Sequence, residues 1–343
     1  MNITFLIGNG FDINLGLKTR YTDFYPYYLS QRHDDIISNA IANHYDRWAD
    51  LELALGQMLR EVSTTQISEF LDSKAILEGN LADYLREEQK RIDVTSATTQ
   101  DELKKNLTCF YGEFSTKDQN AFLNWQRSVA ENIFYQFISF NYTNVLDDII
   151  APLKKVKQFS THSTSGHVYN DLIGNIVHIH GTLFSDLILG LDNEQQIENP
   201  QLQKAPELTN YVIKSAINEA LGEEKINQAK KIISASNYVC VYGMSLGDTD
   251  YMWWKYLLSW LNANSGRRLV LYVYEEATAN PSGPEKLRQQ DKWKNTFLKV
   301  SGESQQNIDK LHSQIIVVLR SKIFDFTDIK LLKRETEETL ANV

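Results

Sequence analysis

Short apolar runs that end in glycine or a polar cluster recur along the chain: ITFLIGNG at 3–10, FYQFISFNYT at 134–143, NIVHIHGT at 175–182, LILGLD at 187–192, NYVCVYGMS at 237–245, RRLVLYVYEE at 267–276 and QIIVVLRS at 314–321. Most lack a strict apolar–polar alternation, so they predict strands covered on both faces, the habit of parallel sheets. Between several of them, apolar residues fall at helical spacing, as in TNVLDDIIAPLKK at 143–155, TDYMWWKYLLSWLNAN at 249–264 and PEKLRQQDKWKNTFLKV at 284–300. Strand alternating with helix predicts an α/β fold with a mainly parallel sheet and helices on both faces.

Residues 21–132 break this rhythm. The stretches 36–62, 67–92 and 114–134 all space their apolar residues for helices, and no convincing strand intervenes, so the span reads as a large helical insertion after the first strand. The segment 93–103 reads as a loop followed by a helix start with Thr99 or Asp101 as cap, and 326–343 as a terminal amphipathic helix.

Composition narrows the class. In 343 residues, 42% hydrophobic and 23% charged, there is room for one large or two modest domains, and 6 prolines with 16 glycines exclude disordered and fibrous classes. A net charge of -9 opposes broad attraction to nucleic acid and points to a small-molecule partner. The apolar run 3–7 is too short for a membrane span or a signal sequence and has no basic residue before it, so a cytoplasmic protein with no membrane association is expected. Cys109 and Cys240 stand too far apart in sequence for a paired-cysteine metal site, and both are expected as free thiols, Cys240 buried.

Candidate chemistry collects at four strand ends: GNGFD at 8–12, SFNYTN at 139–144, HIHGT at 178–182 and YGMSLGDTDY at 242–251. In an open parallel sheet, ligands bind beyond the carboxyl ends of the strands. Gly8, Asn9 and Gly10 let backbone N–H groups approach a phosphate ahead of a helix N-terminus, or merely shape a turn. The third glycine of a dinucleotide fingerprint is missing, since Ile13 stands there. Asp12 can cap the helix or accept a ribose hydroxyl. Asn141 offers both an amide donor and a carbonyl acceptor, suited to orienting a carboxamide or a water, or it closes a turn, while Asn144 reads as a helix cap. His178 and His180 share a strand face but lack an obvious third ligand, so no metal is expected. His180, at the strand end, reads as the group that meets substrate and His178 as a hydrogen-bonded core residue.

Gly243 ends another strand, Ser245 can donate to a phosphate or ribose, and Asp248 or Asp250 opens a helix. Gly243, Ser245 and Gly247 also match a nucleophile elbow, but the only histidine that follows is His312, with no strand-end setting. Trp253, Trp254 and Trp260 have the spacing of a core or interface face.

Taken together, FLIGNGFD, RWADLELALG at 47–56, SFNYTNVLD, HIHGTL and YGMSLGDTDY resemble the bacteriophage abortive infection AbiH family, over nearly the whole chain. That family more distantly resembles the sirtuin-like NAD-binding fold of anti-phage NAD hydrolases. The resemblance implies a Rossmann-like nucleotide-binding domain at 1–20 and 133–343 carrying a helical insertion at 21–132. It further implies NAD as substrate or ligand. By the same resemblance, Gly8, Asn9, Gly10 and Asp12 stand at the phosphate loop and Asn141 in the nicotinamide pocket. His180 takes the place of the histidine before glycine, and Gly243, Ser245 and Asp248 lie at the late ribose-phosphate motif. Sirtuin deacylases resemble one another in a four-cysteine zinc ribbon, absent here, which points away from protein deacylation.

The activity implied is hydrolysis of the nicotinamide glycosidic bond in an anti-phage abortive infection protein. Asn141 would orient the nicotinamide carboxamide or water and His180 would act as general base. The alternative is a nucleotide-binding sensor or interaction module without turnover. The helical insertion is the expected surface for a homo-oligomer or a partner protein.

Overall fold

The computed structural model describes residues 1–274, 282–302 and 308–331. Its strands in chain order are β1 (Asn2–Ile7), β2 (Ile92–Asp93), β3 (Ile133–Ser139), β4 (Ser160–Thr164), β5 (His167–His178), β6 (Ser236–Tyr242), β7 (Arg268–Val273), β8 (Ile315–Leu319) and β9 (Lys330–Leu331). Seven of them form one sheet in the order β4-β5-β3-β1-β6-β7-β8, and β2 pairs with β9 apart from it. Every neighbouring pair of the large sheet is parallel except β4 with β5. The chain therefore steps outward from β1 to one side through β3 and β5, then returns beside β1 and steps to the other side through β6, β7 and β8.

The unbroken apolar runs are two-faced strands, as their pattern predicts. In β1, Ile3, Phe5 and Ile7 face one core while Leu6 faces the other, and β6 divides likewise into Tyr238, Cys240 and Tyr242 against Val239 and Val241. The helices Ala97–Thr108, Thr116–Ser128 and Val145–Lys154 supply Leu103, Leu107, Phe122 and Ile149 to the first core. The opposite core takes Trp253, Trp254 and Trp260 from the helix Tyr251–Ala263, with Ile233 and Phe297 from Lys225–Ser234 and Gly283–Val300. The tryptophans are thus core residues.

Residues 21–132 contribute to two cores. The helices from 97 onward lie on the sheet, whereas Tyr21–Ser30, Ile36–Asn43, Leu51–Met58 and Ile67–Gln89 enclose a separate apolar cluster. That cluster is completed from another part of the chain by Leu183, Leu189, Leu191, Leu202 and Val212.

Two local expectations change. LILGLD is not a strand of the sheet and makes only an isolated bridge from Leu191 to Ile213. A Cβ on its Gly190 would lie 2.4 Å from the Val212 carbonyl oxygen, so this segment is pressed against the junction of the helices Pro206–Val212 and Lys214–Ala220 rather than a strand of the sheet. Conversely, the polar stretch 160–174 forms an antiparallel hairpin of β4 and β5. Its turn places Ser165 at φ 51° and Gly166 at φ 82°, the left-handed pair that a tight hairpin favours. The terminal helix expected at 326–343 lies from 332 onward outside the described residues, and Lys330 and Leu331 form β9. No helix among the described residues is long and apolar enough to cross a membrane.

The turns after β1 and β6 meet backbone to backbone. A Cβ on Gly10 would lie 2.5 Å from the Gly243 Cα, and one on Gly243 would lie 2.6 Å from the Phe11 nitrogen. Gly243 also has φ 70°, which costs a side-chain-bearing residue ~1–2 kcal/mol before any clash. We expect Gly243→Ala to lose at least about 2 kcal/mol in denaturant unfolding. Gly79→Ala, in the helix Ile67–Gln89 with no heavy atom within 4 Å of its Cβ, should instead gain roughly 0.5–1 kcal/mol. A Gly243→Ala protein as stable as the wild type would mean that the two turns are not in contact.

Candidate functional site

The strand order reverses between β1 and β6, and open parallel sheets bind ligands beyond the carboxyl ends of their strands at such a point. A cavity of about 260 Å³ lies there. Its wall draws on Gly8, Asn9 and Asp12 after β1, Asn141 and Thr143 after β3, His180 after β5, and Gly243 and Ser245 after β6. The four strand-end motifs therefore converge on one cavity. Gly10 and Asp248 are not part of its lining. Gly10 is packed on Gly243, and the exposed Asp248 accepts through its carbonyl from Gln196 Nε2 at 3.1 Å.

Asp12 is the centre of the polar wall. It lies in the first turn of a five-residue helix, Gly10–Asn14, and is 1% exposed. Its Oδ1 accepts from Asn141 Nδ2 at 3.1 Å and its Oδ2 from Thr143 Oγ1 at 2.6 Å. Burial pushes its carboxyl up to about 6, against the pull of these two hydrogen bonds and of His178. Because the carboxylate fixes which way the Asn141 amide points, Asn141 Oδ1 is left buried without a partner. A buried amide oxygen with no protein partner calls for a donor from a water or a ligand.

In the backbone of GNG, two of the N–H groups expected to approach a phosphate donate within the protein. The Gly8 N–H donates to the Tyr242 carbonyl at 2.9 Å and the Gly10 N–H to the Gly243 carbonyl at 2.8 Å. The Asn9 side chain is tied to Thr19, donating to its carbonyl at 2.9 Å and accepting from its hydroxyl at 2.5 Å. The glycines thus join β1 to β6, with both of these donors committed.

His180 is 7% exposed, edge-on to the Phe140 ring at 5.6 Å between centroids. Burial, then the Lys214 charge, holds its imidazole well below the ordinary histidine range, so it is neutral at pH 7 and a weak base. His178 is held by Asp147, with 2.8 Å between its Nε2 and Oδ2, as a hydrogen-bonded histidine of the wall behind Asn141. Asn144 precedes the helix Val145–Lys154 but makes no side-chain cap bond. His312 pairs with Asn295 and is no part of the cavity, so the histidine that follows Ser245 in the chain is not beside it. No group of three or more histidine, cysteine or acidic side chains is arranged to hold a metal among the described residues.

The helical span supplies a wall that strand-end reasoning missed. Asp50 caps Leu51–Met58 by accepting from the Leu53 N–H at 3.1 Å, and Glu52 follows in its first turn. Both line the cavity with Tyr21, Tyr142 and Asp250. Lys214 Nζ donates to Glu52 Oε2 at 2.7 Å inside the protein. Burial pushes Glu52 up although Lys214 opposes it. Burial works against the Lys214 ammonium too, but Glu52, Asp250 and Asp192 together hold it above the usual lysine range. The signal for Asp50 and Glu52 was present in RWADLELALG, whereas nothing local around Lys214 marks it.

The family model described as "Bacteriophage abortive infection AbiH" matches residues 4–272, a span that contains every motif of the cavity wall. None of the curated proteins searched matches the chain.

Asp12 ionises near pH 3.8 when unfolded but only near pH 6 when folded. Its contribution to stability is therefore complete below the lower value and is lost as pH rises through about 6. The difference of about two pH units corresponds to about 3 kcal/mol. Asp12→Asn does not ionise, so its stability relative to wild type should improve by roughly 2–3 kcal/mol between pH 4 and pH 8 in urea unfolding. A difference that does not change with pH would contradict the buried carboxyl.

Proposed function

The chain belongs to the bacteriophage abortive infection AbiH family, and from that premise we propose that it acts in phage defence by hydrolysing the nicotinamide glycosidic bond of NAD in this cavity. The observation that carries the reading is the Asp12–Asn141 pair at the reversal of strand order, which leaves one buried carbonyl acceptor unfilled. In support of a nucleotide, the order of β5, β3, β1, β6, β7 and β8 reverses beside β1, and doubly wound, Rossmann-like sheets bind dinucleotides at a reversal of this kind. The cavity volume, about 260 Å³, is small for a ligand site, typically ~300–1,000 Å³, and suits the nicotinamide-ribose end rather than a whole dinucleotide.

Cleavage of this bond develops oxocarbenium character on the ribose and expels neutral nicotinamide. The leaving group needs no acid, and the site has to supply position and negative potential. In the proposed arrangement, Asn141 Oδ1 accepts from the nicotinamide carboxamide. Asp12, largely ionised at pH 7, stabilises the developing cation and takes the proton of the attacking water. The neutral His180 accepts from a ribose hydroxyl. With the Gly8 and Gly10 N–H groups committed, the diphosphate lies toward the cavity rim at Ser245. The helical span, which brings Asp50 and Glu52 to the wall, is the proposed route by which a partner protein or a second copy controls the site.

Those committed donors, together with an Asp12 already bonded on both oxygens, also fit a nucleotide-binding sensor that does not turn over. Incubation with NAD separates the two. The glycosidic reading expects nicotinamide release, reduced ~10²–10⁴-fold by Asp12→Asn or Asn141→Ala, with a milder loss for His180→Ala. NAD-dependent thermal stabilisation without release would establish the sensor instead.

A further inference from the structure

Resting on that reading, we infer that the cavity selects a cationic nitrogen heterocycle, the pyridinium of an oxidised nucleotide, and rejects its neutral reduced form. Four carboxyls line it, Asp12, Asp50, Glu52 and Asp250, and among the described residues no lysine or arginine does. Lys214, just behind the wall, is shared among Glu52, Asp250 and Asp192, so it leaves the wall net negative. His180 adds no charge.

An acidic wall alone does not identify a ligand, but here it surrounds an independent recognition element. Asn141 is 4% exposed, lines the same cavity and carries the unpartnered Oδ1. A carboxamide that donates to this oxygen belongs to a ring small enough for the space. Tyr21 and Tyr142 also line the cavity, and aromatic faces favour a cation over a neutral guest. A diphosphate would be repelled by the same carboxylates, which again places it at the rim.

The probes are 1-methylnicotinamide, a cation, and 1-methyl-1,4-dihydronicotinamide, a neutral ring of matched size, titrated calorimetrically into the full chain at pH 8. The cation should bind at least tenfold more tightly. Asp50→Asn, which keeps a side-chain cap for its helix, should reduce that preference severalfold, and Glu52→Gln should do so if it folds. Equal binding, tighter binding of the neutral ring, or binding of neither overturns the inference. Nicotinamide release from NAD without cation preference defeats this selectivity and leaves the glycosidic reading standing; the preference without release does the reverse.

Discussion

Gly10 and Gly243 touch through their backbones, and the site depends on that contact. With a Cβ on either residue, the turns after β1 and β6 could not close to the distances found, 2.5 Å from the built Gly10 Cβ to the Gly243 Cα. Two interstrand-type hydrogen bonds, Gly8 N–H to Tyr242 and Gly10 N–H to Gly243, continue the β1–β6 ladder past the sheet. The short helix that follows is thereby aimed so that Asp12 points inward beneath the end of β3. Close backbone packing is by itself a sufficient reason for the glycines of this turn.

From Asp12 the polar organisation follows. A buried carboxyl must be satisfied, and Asn141 and Thr143 satisfy it from the adjacent strand end. The same bond orients Asn141 and leaves its carbonyl without a partner. Around this pair, Asp50, Glu52 and Asp250 add negative potential, and the buried Glu52–Lys214 bridge ties the helical span to the segment containing Lys214. Removing one member of such a bridge strands the other charge in the interior, so the bridge couples the helical span to the cavity wall.

The sheet was legible because buried parallel strands leave an unmistakable pattern, apolar runs without alternation that stop at glycine. The hairpin of β4 and β5 was not, since its residues are largely polar and its clue was only the Ser165–Gly166 turn. LILGLD has a strand's composition, but its partner is the helix junction Val212–Lys214 rather than the sheet. At the site, Asn141, His180, Gly243 and Ser245 were readable from their places at strand ends. Asp12 was readable as a residue but not as the holder of Asn141, because that bond joins positions 129 apart in sequence. Lys214 left no local trace, since its role is set by Glu52, 162 positions away.

The most direct measurement is a crystal structure of the protein with carba-NAD, whose ribose ring oxygen is replaced by carbon so that an oxocarbenium cannot form. The nicotinamide ring should lie inside the cavity with its carboxamide on Asn141 Oδ1, and the diphosphate should lie outside near Ser245. A nucleotide seated with its phosphates on the Gly8–Gly10 backbone, or bound elsewhere on the chain, would contradict the assignment of this cavity.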